Sequence, residues 1–374
     1  MSYRVLHLIG GGEIGGAELH ILRLFESFDR AQVSPYLICL AKNSPLAVRA
    51  AAAGHPALVY PMAFFMDLRP ISRIVAFCRR EGIDLIHSHG ARGNLLGRLA
   101  AERLNIPCIS TIHSDVRHDY TSKIKGRLAL FVDDRTISRS AGLITVSRSL
   151  YESTLPRLQK PLPLTVIYNG IPTIDFSGAA ALRRRYRELW QIDDDAVALG
   201  SIGRLHPVKS QSTLIEAALS LQRAGKKIHL LIIGEGPLHN MLQSELAASG
   251  LVYTLPGYLP DAWQALPAMD LFALPSLKEG MGLVLLEAAQ AMVPIVATRA
   301  GGVPELFPRQ EAILTPPGDS LSFAAACSVL LDDPELCKRQ TRKAAERAKY
   351  FTLDKMAAAT YHFYERILTF TQNK

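Results

Sequence analysis

Short apolar runs alternate with helically spaced stretches along most of this chain. Arg4 to Ile9, Ser34 to Leu40, Asp84 to His87, Pro107 to Ile112, Gly142 to Val146 and Leu164 to Ile167 read as strands, with helical patterns such as Ala17 to Phe28 and Arg92 to Leu104 between them. Strand and helix in alternation predict βαβ units, a parallel sheet and helices on both faces. The series breaks at Tyr168-Asn169-Gly170-Ile171-Pro172, where Asn-Gly and Pro are turn signals, and a charged stretch with Arg183 to Arg187 and Asp193 to Asp195 follows. This is the expected hinge. A second series then runs through strands near Ala196 to Ile202, Lys227 to Ile233, Val252 to Leu255, Leu271 to Leu274, Ile295 to Thr298 and Ala312 to Leu314. Leu353 to Phe370 carries Met356, Tyr361, Tyr364, Ile367 and Leu368 on one face and predicts a closing helix. The expectation is an α/β protein of two doubly wound domains, residues 1–170 and 171–352, with a C-terminal helix at 353–374 packing back on the first. Ligands of such sheets gather at the carboxyl ends of the strands.

Composition fits this picture. A chain of 374 residues exceeds the ~250 to 300 at which one core stops growing. Its 48% hydrophobic, 20% charged and 7% aromatic residues exclude a disordered or fibrous chain. The apolar run at the start is too short for a signal peptide, and Leu283 to Ala297 is interrupted by Glu287 and Gln290, short of the ~18 to 20 residues of a membrane helix. A cytoplasmic location is expected. The cysteines at 39, 78, 108, 327 and 337 form no C-x-x-C pair and read as reduced structural thiols. Residues 1–170 hold 21 Lys and Arg against 13 Asp and Glu, whereas 171–374 hold 21 against 21, so the net +8 belongs to the first half. That half is expected to meet something anionic.

Five loops carry the candidate chemistry. Gly10-Gly11-Gly12-Glu13-Ile14-Gly15-Gly16 follows the first strand and fits G-x-G-x-x-G, but the second strand ends at Cys39-Leu40-Ala41-Lys42-Asn43 without the acid that would hold a dinucleotide ribose. What remains is a set of backbone amides at a helix start, suited to an anion or a polar substrate. Gly203-Arg204-Leu205-His206-Pro207-Val208-Lys209 sets a guanidinium and an ammonium at another strand end, a pair able to neutralise a diphosphate. Ser276 to Glu287 places Glu279 in a loop and Glu287 in the following helix, with Gly280 and Gly282 between. Gly234-Glu235-Gly236-Pro237 and Gly301-Gly302-Val303-Pro304-Glu305 repeat the pattern.

In order and spacing these motifs, with Gly-Gly-Ala-Glu near the start, Asn169-Gly170 and Glu279-x7-Glu287, resemble the family-4 retaining glycosyltransferases of GT-B fold, over essentially the whole chain. The resemblance implies two Rossmann-like domains facing each other across a cleft, the second binding a UDP-, GDP- or ADP-linked sugar and the first an acceptor. It implies that Glu287 holds the ribose, that Glu279 lies beside the donor sugar, and that Arg204 and Lys209 meet the phosphates. Gly280, Met281, Gly282 and Leu283 would approach the diphosphate or sugar, Tyr258 and Leu259 the base, and Gly15, Gly16, Gly203 and Gly234 the donor. His113 matches a histidine facing the donor sugar; Glu18 and His89 are placed on the acceptor side. Met292 stands where the family usually has Gly. No cofactor and no metal is implied, and the sequence shows no Asp-x-Asp and no His/Cys cluster at ligand spacing.

Three rivals remain. A retaining hydrolase needs its carboxyls ~5 to 5.5 Å apart, whereas two helical turns between Glu279 and Glu287 would span ~11 Å. A sugar-nucleotide epimerase would convert donor without acceptor, and a silent binding protein would turn over nothing. In Arg117 to Arg139, Lys123, Lys125, Arg127, Arg135 and Arg139 interleave with Ile124, Leu128, Leu130, Phe131 and Ile137, a basic amphipathic surface suited to the inner face of an anionic membrane and to an anionic or lipid-linked acceptor, such as a cell-envelope precursor. No nucleic-acid partner is expected.

Overall fold

The computed structural model describes residues 2–118 and 122–372. Two compact units emerge, Met1–Pro172 joined by Thr352–Lys374, and Thr173–Phe351. In the first, seven parallel strands stand in the order β3-β2-β1-β4-β5-β6-β7, where β1 is Tyr3–Ile9, β2 Val33–Cys39, β3 Ala57–Val59, β4 Leu85–His89, β5 Cys108–Ile112, β6 Gly142–Thr145 and β7 Leu164–Val166. In the second, six parallel strands are ordered β10-β9-β8-β11-β12-β13, with β8 Val197–Ile202, β9 Ile228–Ile233, β10 Val252–Gly257, β11 Leu271–Leu274, β12 Ile295–Thr298 and β13 Ile313–Thr315. Both sheets reverse their winding once, between β1 and β4 and between β8 and β11, and at such a switch point neighbouring loops diverge and leave a crevice.

The alternation of each strand decides what lies on either face. The parallel register sets Val5 beside Leu85, His7 beside His87, His87 beside Ile109 and His89 beside Thr111. Residues two apart share a face. Val5, Leu85 and Ile109 therefore enter one core cluster with Leu24 of the helix Gly16–Ser27, with Phe28 just after it, and with Met356, Phe363 and Tyr364 of the closing helix Leu353–Gln372. The opposite face carries Leu6, Leu8, Ile86 and Cys108 against the helices Pro70–Glu81 and Gly90–Leu104.

Polar residues of that opposite face converge on Arg98, whose side chain is wholly buried. Its Nε donates to Ser140 Oγ at 3.0 Å, its Nη1 to Asp133 Oδ1 at 2.7 Å and Thr136 Oγ1 at 2.9 Å, and its Nη2 to Ser110 Oγ at 3.2 Å. Asp133 also accepts from Arg157 at 2.6 Å and Asn94 at 3.0 Å. Burial raises the Asp133 carboxyl, but the two guanidinium charges outweigh it and hold the group below its usual value. This knot ties the helix Lys123–Thr136 to the sheet, burying Ala129 and Val132 while Ile124, Leu128 and Phe131 stay exposed.

The sequence missed β3, an edge strand of three half-buried residues. Of the predicted basic amphipathic segment, residues 119–121 and the Lys123 side chain lie outside the described residues, as do residues 373 and 374 of the closing segment. The five thiols are unpaired; Cys39, Cys78, Cys108 and Cys327 are buried, and burial pushes Cys39 and Cys108 up to about 11. At the position where Gly was expected, Met292 adopts the left-handed conformation at φ +57°, half exposed after the helix Leu283–Gln290.

Candidate active site

In the second unit the loops after β8 and β11 flank the switch point, and they meet. Lys209, in a short 3-10 turn after β8, forms an ion pair with Glu279, in the loop after β11. Ser276 Oγ donates to the same Glu279 oxygen at 2.7 Å. The carboxylate is nearly buried, at 7% exposure, so the pair is shielded from the screening that makes surface pairs weak. A backbone bond joins the two loops, Leu277 N–H donating to Val208 O at 2.7 Å, and within the first of them the Gln211 side chain donates from Nε2 to Arg204 O at 3.0 Å. Arg204 is exposed beside them.

Close backbone contact explains two of the glycines. At Gly234, φ is +146° and an added Cβ would stand 1.9 Å from the Gly203 carbonyl oxygen. At Gly301, φ is +53° and a Cβ would stand 1.7 Å from the carbonyl oxygen of Glu279 itself. The glycine loops that the sequence shows as separate turns thus press on one another, and the last of them sets where Glu279 lies.

Gly282, at φ +79°, is the residue before the helix Leu283–Gln290, so the amides of Leu283 and Val284 open that helix and Glu287 stands just over one turn inside it. This corrects the expected two helical turns between the carboxylates, since the first half of the spacing is loop. The ~11 Å estimate falls with it; the argument against an acid and nucleophile pair now rests on Glu279 being committed to Lys209 and Ser276. Gly280 is half-buried and Met281 buried at 3%. Tyr258, half exposed, and Leu259 follow Gly257 at the carboxyl end of the edge strand β10.

The first unit holds the other predicted residues. Gly15 precedes the helix Gly16–Ser27, and its N–H donates to Glu18 Oε2 at 3.1 Å. Glu18, expected on the acceptor side, thus caps the helix start, at an N3 position where a carboxylate also suits the dipole. Gly16 is the first helical residue, with open space where a Cβ would stand.

His89 and His113 belong to a cluster that sequence spacing concealed. His7 on β1, His87 and His89 on β4, His20 on the first helix and His113 after β5 converge on the sheet face that carries Tyr364. One nitrogen each from His7, His87 and His89, and one each from His20, His89 and His113, lie within 4.8 Å of one another. Such all-imidazole sets suit zinc, copper or nickel better than magnesium. The only sequence signal was period: His87-Ser88-His89 places both rings on one strand face, and His7 is in register with His87. Burial, reinforced by neighbouring imidazoles, holds His7, His87, His89 and His113 well below 6.5, and burial together with the Arg23 charge, against the bond to Asn169, holds His20 at about 4.

Comparison with known proteins agrees with this layout. The family model described as Glycosyltransferase Family 4 matches residues 14–174, and that described as Glycosyl transferases group 1 matches residues 196–333. The alpha-D-kanosaminyltransferase of Streptomyces kanamyceticus is 28% identical over 73% of this chain and 75% of its own length. The UDP-Gal:alpha-D-GlcNAc-diphosphoundecaprenol alpha-1,3-galactosyltransferase of Escherichia coli is 25% identical over 77% of each. Anabaena HepE, solved in complex with UDP and glucose, superposes with a TM-score of 0.83 over 97% of this chain and 100% of its own at 21% identity, which speaks for the fold.

Two outcomes follow. Gly301→Ala should displace Glu279 and lower melting temperature and turnover together, whereas Gly250→Ala, at φ +72° with open space around it, should cost only the ~1 to 2 kcal/mol of its backbone conformation; equal effects would remove the close-contact argument. Above pH 6.5 the five buried histidines are neutral folded or unfolded, but below it only the unfolded chain takes up their protons. Stability should therefore fall as pH drops from 7 toward about 5, by up to ~1.4 kcal/mol per pH unit for each histidine kept neutral. Urea unfolding across that range measures it, and a flat profile would show that the cluster is not held neutral.

Proposed function

Since the chain belongs to the family-4 glycosyltransferases, with two Rossmann-like domains of GT-B type, we propose that it is a retaining enzyme that moves a sugar from a nucleotide-sugar donor to an anionic, lipid-linked acceptor. The observation that carries the donor half is the Lys209–Glu279 pair at the β8/β11 switch point, beside exposed Arg204 and the opening amides of the helix Leu283–Gln290. Departure of a nucleoside diphosphate leaves negative charge on phosphate oxygens. Lys209, Arg204 and those amides are placed to stabilise it, with Glu279 holding the ammonium in position before the substrate arrives. Glu279 is then a positioning carboxylate and donor-sugar contact, Glu287 the ribose anchor, and the leaving diphosphate itself takes the acceptor proton. These roles use no metal.

The acceptor half rests on the first unit's surface. Ile124, Leu128 and Phe131 stand 80%, 45% and 53% exposed on one face of the helix Lys123–Thr136, among Lys125, Arg127 and Arg135. Phe65 packs under this helix against Ala91, Val116 and Ala129, leaving Phe64, Met66 and Leu68 exposed beside it. Apolar groups ringed by cations fit the interface of an anionic bilayer. None of the helices among the described residues is long and apolar enough to cross a membrane, so contact would be peripheral. The E. coli relative, named for a UDP-Gal donor and a diphosphoundecaprenol-linked acceptor, supports the same classes on both sides.

Screening UDP-, GDP- and ADP-sugars for thermal stabilisation identifies the donor. Lys209→Ala and Glu279→Ala should then cut turnover by ~10² or more while the fold persists. Wild-type turnover in both variants would overturn the assignment, and conversion of donor without acceptor would mark an epimerase instead. Vesicles rich in phosphatidylglycerol should retain the protein at low salt, and Ile124→Asp with Phe131→Asp should release it; equal retention of wild type and variant would remove the membrane half.

A further inference from the structure

The two groups of imidazoles in the first unit differ in what their nitrogens already do. In the group of His7, His87 and His89, His7 bonds His89 at 3.1 Å and the Tyr364 hydroxyl at 3.4 Å, and His87 bonds that hydroxyl at 2.7 Å and Thr111 Oγ1 at 2.6 Å, so every nitrogen of both rings is engaged. In the group of His20, His89 and His113, by contrast, His20 Nε2 and His113 Nδ1 are buried with no hydrogen-bond partner among the described residues.

The state of His20 is fixed from outside the cluster. Its Nδ1 lies 2.8 Å from Asn169 Oδ1, an amide oxygen that can only accept, so Nδ1 carries the hydrogen and Nε2 is left with a bare lone pair. The residue is 2% exposed, and a buried acceptor with nothing to accept keeps its desolvation cost. An imidazole held this way, donating from one nitrogen to a carbonyl oxygen and free at the other, is how proteins orient a histidine toward a metal ion.

The other two rings already stand at ligand spacing. His89 Nδ1 is 3.0 Å from His113 Nε2, and one nitrogen each from His20, His89 and His113 lies within 4.8 Å of the others. Bonds of ~2.0 to 2.1 Å in a tetrahedral site set ligand nitrogens ~3.3 Å apart, so the His89 and His113 pair opens by a few tenths of an ångström and the third ring closes in by no more than ~1.5 Å. Burial keeps all three rings neutral at pH 7, and an arriving ion meets lone pairs rather than protons. None has to leave: His20 keeps its hydrogen on Nδ1, His113 carries it on Nδ1, and His89 carries it on Nε2, where His7 Nδ1 accepts it.

We propose that His20 Nε2, His89 Nδ1 and His113 Nε2 form a binding site for one divalent transition ion of the zinc class, with water as the fourth ligand and Asn169 as the residue that orients His20. The ion ties the helix Gly16–Ser27, the end of β4 and the loop after β5 together, and it has no part in the transfer roles assigned above. The site stands on the cluster alone and needs no reading of the reaction.

The test uses the full chain without a histidine tag, dialysed against Zn2+ or Mg2+, with the retained metal counted. One zinc and no magnesium per chain is expected, and zinc alone should raise the melting temperature. Cobalt(II) bound in place of zinc should show the strong visible bands of a tetrahedral ion, and added zinc should erase them. His20→Ala and His113→Ala should each lose the zinc, whereas His87→Gln, outside the three ligands, should keep it. Asn169→Leu leaves every ligand in place and should weaken zinc binding by ~10- to 100-fold, while Asn169→Asp should bind at least as tightly as wild type. The cobalt spectrum and the Asn169 pair decide the matter even if a histidine variant fails to fold. Zinc retained no better than magnesium, an octahedral cobalt spectrum, or zinc held equally by wild type, His20→Ala and His113→Ala would rule the site out.

Discussion

Strict two-residue alternation in β4 and β5 is the constraint on which the first unit turns. Ser88 and Ser110 point to the face of Arg98, and Ser88 Oγ lies 2.7 Å from Ser110 Oγ, while His87, His89 and Thr111, one residue away, point to the other face. Two buried polar systems thus stand back to back on one pair of strands. A slip of one residue in either strand would put imidazoles against a guanidinium and hydroxyls against Tyr364, leaving donors without acceptors on both sides. The register is specified by polar complementarity as much as by apolar burial. Arg98 is tolerated in the interior only because its ion pair is backed by Ser110, Thr136 and Ser140, and such groups are costly when half satisfied.

The second unit solves a different problem with different means. Its site has few buried side-chain donors and depends on backbone approaching backbone, with Gly234 against Gly203 and Gly301 against Glu279. Loops built this way present amides without side chains in front of them. The charged groups set among them include a near-buried ammonium-carboxylate pair, Lys209 with Glu279, the exposed Arg204 guanidinium and the Glu287 carboxylate.

Much of this was legible in the sequence, for stated reasons. Strands such as Leu271–Leu274 and Ile295–Thr298 agree to the residue because they are short, fully buried and bounded by turn residues. The glycine loops were legible as turns, but their mutual contact was not, since it depends on which strands are neighbours. Glu18 carries a readable signal: a carboxylate three residues after the residue that precedes a helix, here Gly15, is a capping pattern before it is a binding one. The histidine cluster is the largest omission. His7, His20, His87, His89 and His113 have no ligand spacing along the chain, and only the parallel register of β1, β4 and β5 brings them together. Tyr364, from the far end of the chain, has no local signal at all for its place among them.

That last dependence reaches into how the molecule is made. Residues 173–351 are contiguous and can close their core as soon as they leave the ribosome, but the first unit takes its Tyr364 and Met356 from a stretch that follows them. The first unit therefore closes only after the second has been made, and until residues 353–372 have emerged its imidazole face has neither its apolar cover nor its central hydroxyl. A chain stalled or clipped just before Leu353 would carry a closed second unit and a first unit with an open, histidine-lined sheet, a species that chaperones and proteases would meet before any substrate does.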